Sequence, residues 1–161
     1  MQAKIEAFLS AARRMNAVGV TPLLYGSLGL SERLHRDLHA DDIDVLIPEV
    51  YLHEKWETVL QNMQAEGFAL YDLHEHAFAR GSLHMAFAAL EELTGFAGVD
   101  IAAIPKQTRD GVQYRLLTLA DYLRVYTASA KDGYRRDKKL KNDSEKIRLI
   151  AQALQSETGG S

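Results

Sequence analysis

Apolar residues return at three- and four-residue steps in the first part of the chain, at Ile5, Phe8, Leu9, Ala12 and Met15. That spacing lays them on one side of a helix, so Lys4 to Val18 is expected to be helical, with Gly19 as its stop. The pattern then changes. Thr21-Pro22-Leu23-Leu24-Tyr25 is a short apolar run halted at Gly26-Ser27, which reads as a buried strand followed by a tight turn. Leu28 to Leu38 reads as a short helix and a polar loop. Asp42-Ile43-Asp44-Val45-Leu46-Ile47-Pro48 is expected to be the second strand, closed by its proline.

Helical spacing resumes over Tyr51 to Glu66, up to Gly67. Phe68 to Leu73, Glu75 to Arg80 and Leu83 to Ala88 read as strands, and Glu91 to Phe96 as a loop or broken helical turn. Gly98 to Pro105 is expected to be another strand closed by proline. Asp110-Gly111 marks a turn before a strand at Val112 to Leu116. Thr118 is an expected N-cap with Asp121 as its reciprocal acid, and Leu119, Leu123, Val125 and Tyr126 form the apolar side of the helix that follows. A last helix spans about Asp137 to Leu154. The layout of helix, mixed sheet and two helices predicts an α/β (α+β) fold. Residues 1–117 would form the core and 118–155 a helical segment packed on it, with 156–161 a frayed tail.

Composition narrows the function classes. The chain has 161 residues, 47% hydrophobic and 25% charged, as in an ordinary globular domain. No apolar stretch approaches the roughly 20 residues that a bilayer requires. Met1 to Glu6 carries an acid where a signal peptide would be basic and then apolar, so a cytoplasmic location is expected. The absence of cysteine excludes disulfides, zinc–thiolate sites and cysteine nucleophiles. The net charge of −3 gives no overall field favouring nucleic acid. Lys131, Arg135, Arg136, Lys138, Lys139, Lys141 and Lys146 nevertheless form a local basic run, either a solvated helix face or a docking surface for RNA.

Three features carry candidate chemistry. Gly26-Ser27 follows a buried strand; glycine permits close approach of backbone to ligand, and the amides and hydroxyl that follow can donate to phosphate oxygens. Asp42 and Asp44 are two apart on a strand, so their carboxylates share a side, with Cα atoms about 6.5–7 Å apart. Like charges held that close favour a cation between them, and oxygen donors suit Mg²⁺ or Mn²⁺. Asp100 lies between Val99 and Ile101, where an acid is costly to bury without a partner.

The order of these features (apolar strand, Gly-Ser, spacer, Asp-apolar-Asp on a second strand, lone Asp later) resembles the DNA polymerase beta-like nucleotidyltransferase superfamily over roughly Ala12 to Ile104. The run from Ser129-Ala130-Lys131-Asp132 to Lys146-Ile147 looks like the helical end of small bacterial members. Minimal nucleotidyltransferases, aminoglycoside nucleotidyltransferases and abortive-infection-type toxins share this plan. The spacer, Leu28 to Asp41, is longer than usual. Leu28 stands where a basic residue often follows Gly-Ser, leaving Arg33 and Arg36 as candidates for its role.

The resemblance implies a metal-dependent transfer of a nucleoside monophosphate from a nucleoside triphosphate such as ATP to a hydroxyl of a small molecule, RNA or protein. It implies Asp42, Asp44 and Asp100 as catalytic and Mg²⁺-binding residues, Gly26 and Ser27 on the phosphates, and Lys131 or Lys139 neutralising phosphate charge. It further implies that two copies of the chain could pair to complete the site. The alternative is an inactive nucleotide-binding or regulatory, antitoxin-like module. His74, His76 and His84 could form a three-histidine site, although Asp72 and Glu75 make surface histidines the simpler expectation. His35 and His39 precede Asp42 and could touch a substrate. Trp56, Tyr51, Phe87 and Phe96 are expected to pack rather than stack on bases; Tyr122, Tyr126 and Tyr134 could line a substrate cleft, although packing between helices is the simpler expectation.

Overall fold

A computed structural model describes residues 1–132 and 137–159, the side chains of 132, 137–141 and 158–159 excepted. In chain order the elements are α1 (Gln2–Ala17), β1 (Leu23–Tyr25), α2 (Gly26–Leu34), β2 (Ile43–Ile47), α3 (Trp56–Ala65), β3 (Ala69–Asp72), β4 (Ala77–Arg80) and β5 (Leu83–Ala89). There follow α4 (Glu92–Ala97), β6 (Lys106–Arg109), β7 (Val112–Arg115), α5 (Leu119–Asp132) and α6 (Asp137–Gly159). Two 3-10 turns, Glu49–Leu52 and Ile101–Ala103, complete the description. The strands form one mixed sheet in the order β3-β4-β5-β2-β1-β7-β6. β2 is central, antiparallel to β1 and parallel to β5. This is the expected α/β architecture.

The sheet separates two cores, and β2 shows why. Successive strand residues point to opposite faces. Ile43, Val45 and Ile47 enter a core closed by α1 and α3, with Phe8, Met63, Phe78 and Phe87. Leu46 enters the other core, with Leu23, Tyr122, Val125 and Ile150 from β1, α5 and α6. Asp44 has the same parity as Leu46, so it faces the helical C-terminal segment.

Four expectations need correction. Gly98 to Pro105 is not a strand. Val99 and Ile104 bury in the second core while Asp100 stays exposed and caps the 3-10 turn, its carboxylate accepting from the Ala102 amide at 3.2 Å. The helix expected from Tyr51 begins as the 3-10 turn Glu49–Leu52, with α3 proper starting at Trp56. Strand β6 was not foreseen: Lys106-Gln107-Thr108-Arg109 has no apolar residue and is ordered by pairing with β7 across the Asp110-Gly111 turn. α6 extends as far as Gly159. Glu91 to Phe96, read as a loop or broken turn, contains α4, ended by Gly98 in the left-handed conformation at φ 71°.

At the start of α5, the Thr118 hydroxyl accepts from the Asp121 amide at 3.2 Å, while the Asp121 carboxylate pairs with Arg124 at 2.8 Å. Tyr134, Arg135 and Arg136 lie outside the described residues, as do the side chains of Lys138, Lys139 and Lys141. The basic run as a surface is therefore outside them too. Among the described residues no helix is long and apolar enough to cross a membrane.

Candidate active site

β1 ends at Tyr25, the chain turns at Gly26 with φ 64°, and α2 begins. Register places Tyr25 opposite Asp44, which brings the turn directly against that carboxylate. A Cβ on Gly26 would overlap the Asp44 Oδ2 atom. Glycine is thus required twice, by the left-handed φ and by the approach. The hydroxyl of Ser31, fully buried on α2, donates to the Ser27 carbonyl at 2.7 Å and accepts from the Leu38 amide at 3.1 Å, tying helix to loop. Gly29 lies so close to the Tyr122 hydroxyl and the Leu24 carbonyl that it also has no room for a side chain.

Around this turn is a cleft of about 250 Å³ lined by Tyr25, Gly26, Ser27, Asp44, Tyr126 and Lys146. Asp44 is half-buried, and Asp42 is exposed just before β2. Burial pushes the Asp44 carboxyl above its ordinary value; the neighbouring charge of Asp42 pushes it further, and Lys146 pulls it partly back. Asp44 is thus a half-buried carboxyl with a second acid beside it. Lys146 reaches over from α6, its Nζ 5.0 Å from the centroid of the Tyr126 ring. One turn earlier on α6, buried Asp143 accepts a hydrogen bond from the Ser129 hydroxyl of α5 at 2.8 Å, which fixes α6 against α5.

Tyr126 shares a hydrogen bond with the Ser27 side chain, and burial holds its phenol well above the ordinary range. Burial and then Asp44 push the Tyr25 phenol up to about 12. Both phenols stay neutral near pH 7 and can donate, but neither can act as a base there. The Tyr126 ring stacks on Tyr122 at 6.1 Å and carries Lys146 near its face, so it both packs between the helices and lines the cleft. Phe96, 41% exposed, forms the rim of the cleft.

The Arg115 guanidinium donates to the Ile101 carbonyl at 3.1 Å, and Arg115 pairs with Leu23, at the opposite end of β1 from Gly26. Asp100 is not among the residues that line the cleft. Among the described residues, no three His, Asp or Glu side chains gather where they could hold a metal. The expected convergence of Asp42, Asp44 and Asp100 therefore does not form. Lys131 is exposed beside Phe96 and Arg124 in a separate hollow. Lys139 has no described side chain.

Arg33 is committed to structure, donating to the carbonyls of Leu117 at 2.8 Å and Leu116 at 3.1 Å. Arg36 is exposed. The histidines do not converge either: His76 packs on Trp56, His84 contacts the Tyr71 hydroxyl, and His74 meets Glu75 at the surface. His39 lines a polar hollow that adjoins the cleft through Ser27 and Lys146.

Asp42 and Asp44 suit a hard cation such as Mg²⁺ or Mn²⁺: two carboxylates of like charge, one of them half-buried, leave coordination positions for phosphate oxygens and water. Lys146, which lines the cleft, and Asp143, which braces α6 against α5, were not singled out as site residues by sequence reasoning. Both sit in the charged run before the last helix turns apolar, and only the packing of α6 on α5 singles them out.

No family model matches the chain. Three solved structures share its fold at low identity. A solution structure of the antibiotic-resistance factor ANT(2'')-Ia aligns with TM-score 0.59 and 12% identity, covering 99% of this chain and 95% of that one. A crystal structure of ANT(2'')-Ia in complex with adenylyl-2''-tobramycin aligns with TM-score 0.56 and 16% identity, over 96% and 92%. An antigenic nucleotidyltransferase-like protein from Paracoccidioides brasiliensis gives 0.59 and 12%, over 92% and 75%. The architecture is thus that of the DNA polymerase beta-like nucleotidyltransferases. In sequence, the chain is 39% identical over 150 residues to the uncharacterized protein YnaI of Bacillus subtilis (strain 168), covering 92% of this chain and 96% of that one. On that extent of identity, this nucleotidyltransferase-fold chain belongs to the family of YnaI.

Proposed function

We propose that this protein binds a nucleoside triphosphate and a divalent cation in the cleft beside Asp44 and transfers the nucleoside monophosphate to a hydroxyl acceptor. One observation carries the reading: a glycine turn that opens a helix is packed against a half-buried carboxylate, with a lysine in the same cleft. The α2 N-terminus, with its unpaired amides and positive partial charge, favours phosphate oxygens. The Ser27 hydroxyl would exchange its Tyr126 partner for a phosphate oxygen. Lys146 would face the same phosphates as a compact point charge. Asp42 and Asp44 would hold the cation, which supplies charge stabilisation at the transferring group.

The acceptor oxygen would attack the α-phosphorus as the bond to pyrophosphate breaks, and the acceptor's proton would pass to solvent. The protein's contribution is positioning and charge rather than a covalent intermediate. One of the structural neighbours is in complex with adenylyl-2''-tobramycin, an adenylylated alcohol, which is the class of product this reading expects. A small-molecule hydroxyl is therefore the first acceptor class to try.

The absence of a third carboxylate at the cleft among the described residues favours one other reading, a module that binds nucleotide without turning it over. Incubation with each of four α-³²P-labelled triphosphates, Mg²⁺ and cell extract separates them. Label on a small molecule, RNA or protein supports transfer. Bound nucleotide without label transfer supports the module, and no retained nucleotide at all defeats both.

A further inference from the structure

We propose that this cleft holds one divalent cation per nucleotide and that the Lys146 ammonium takes the place of a second. The proposal rests on the nucleotide-binding reading above and concerns how the site balances charge. In the sheet, Asp44 has two cross-strand neighbours on its own side, Tyr25 on β1 and Ala86 on β5. Paired residues on adjacent strands project to the same face, roughly 4.5–5.5 Å apart at Cβ. Ala86 therefore occupies the position from which another acid would reach a cation at Asp44, and a methyl group cannot ligate. Two residues earlier on the same side, His84 is turned to the Tyr71 hydroxyl at 3.1 Å. On the other flank, Tyr25 offers a neutral phenol.

Two cations about 3.5–4 Å apart bring four positive charges and need bridging carboxylates with further anionic ligands. Asp42 and Asp44 alone bring two negative charges, which match one divalent ion whose other positions phosphate and water can fill. The triphosphate then still carries charge to be neutralised. Lys146 is set for it, lining the cleft with Gly26, Ser27 and Asp44 and lying near the face of Tyr126 at 5.0 Å. Attraction to the aromatic face and the Asp143–Ser129 link hold α6, and so the ammonium, in place. A fixed cation of this kind cannot be chelated away.

Counting Mn²⁺ tests this. Mn²⁺ bound per bound α,β-methylene-ATP, a non-transferable analogue, is measured by electron paramagnetic resonance for wild type, Ala86→Asp and Lys146→Ala. The expected result is one Mn²⁺ per bound analogue in wild type and two in Ala86→Asp. Lys146→Ala should bind the analogue 10- to 100-fold more weakly, with one Mn²⁺ still bound. Two Mn²⁺ per analogue in wild type would overturn the proposal and leave nucleotide binding intact. Failure of wild type to bind the analogue would remove the proposal together with the reading beneath it. The wild-type count decides even if a variant fails to fold.

Discussion

The two faces of the central sheet differ in kind although they share the same strands. Toward α1 and α3, every β2 residue that points inward is apolar and closed off: Ile43, Val45 and Ile47 are 0%, 2% and 1% exposed. Toward α5 and α6, the same strand offers Asp44 and Leu46, and the packing opens into a cleft at the acid. Two-residue alternation makes this division possible, since a single strand can stabilise with one set of side chains and do chemistry with the other. The closed face should tolerate no polar group, and the open face should tolerate changes of charge at a cost to ligand binding more than to folding.

The closed face is where the largest loss of stability is expected. Phe78 is fully buried and meets Phe87 edge-to-face at 5.8 Å and Trp56 at 5.7 Å. Phe78→Ala should cost about 3–5 kcal/mol in urea unfolding. The analogue affinity of the fraction that remains folded should be unchanged. Gly29→Ala sits where the two cores meet: its methyl would enter the Tyr122 hydroxyl and the Leu24 carbonyl. Overpacking there should cost about 1–3 kcal/mol by the same measurement. A variant as stable as wild type would mean that Tyr122 does not pack against this turn.

On the open face the sign reverses. The Asp44 carboxyl titrates above its ordinary 3.8, so the folded state retains a proton that the unfolded chain has released. Stability contributed by this group therefore falls as pH rises from about that value through the raised one, and at neutral pH the charge is a net cost. Asp44→Asn should accordingly melt at a higher temperature than wild type at pH 7 without ligand, and the gap should close as pH falls below 3.8. Calorimetric titration should show the same variant losing Mg²⁺-dependent nucleotide binding by at least tenfold, on the order of 1.4 kcal/mol or more. The smallest effect belongs to the helix start on this face: Thr118→Ala removes a cap and should cost about 1 kcal/mol, with nucleotide affinity untouched.

This division also explains what could be read from the sequence. The alternating Asp-Ile-Asp-Val-Leu-Ile run and the Gly-Ser stop announce a strand, its acids and the turn, because local sterics and period dictate all three. The sheet order and the contact of Gly26 with Asp44 depend on pairing, which the spacer conceals. Asp100 misled because an acid between Val99 and Ile101 looks like a strand residue. Val99 and Ile104, five apart, match neither a strand nor a helix period, and the chain makes a 3-10 turn capped by the acid itself. Lys146 was hidden for the opposite reason. Among many charges in one run, only the docking of α6 on α5 tells which one faces Asp44.

The central claim is that cation and nucleotide occupy the open face at the Gly26 turn. Paramagnetic broadening of amide resonances by substoichiometric Mn²⁺ with α,β-methylene-ATP tests it without any assumption about turnover. The account predicts selective loss of signal at Gly26, Ser27, Asp44 and Lys146, with Val59 and Met63 of α3 unaffected. Broadening centred on the His74 to His84 edge, or on Asp100, would contradict it.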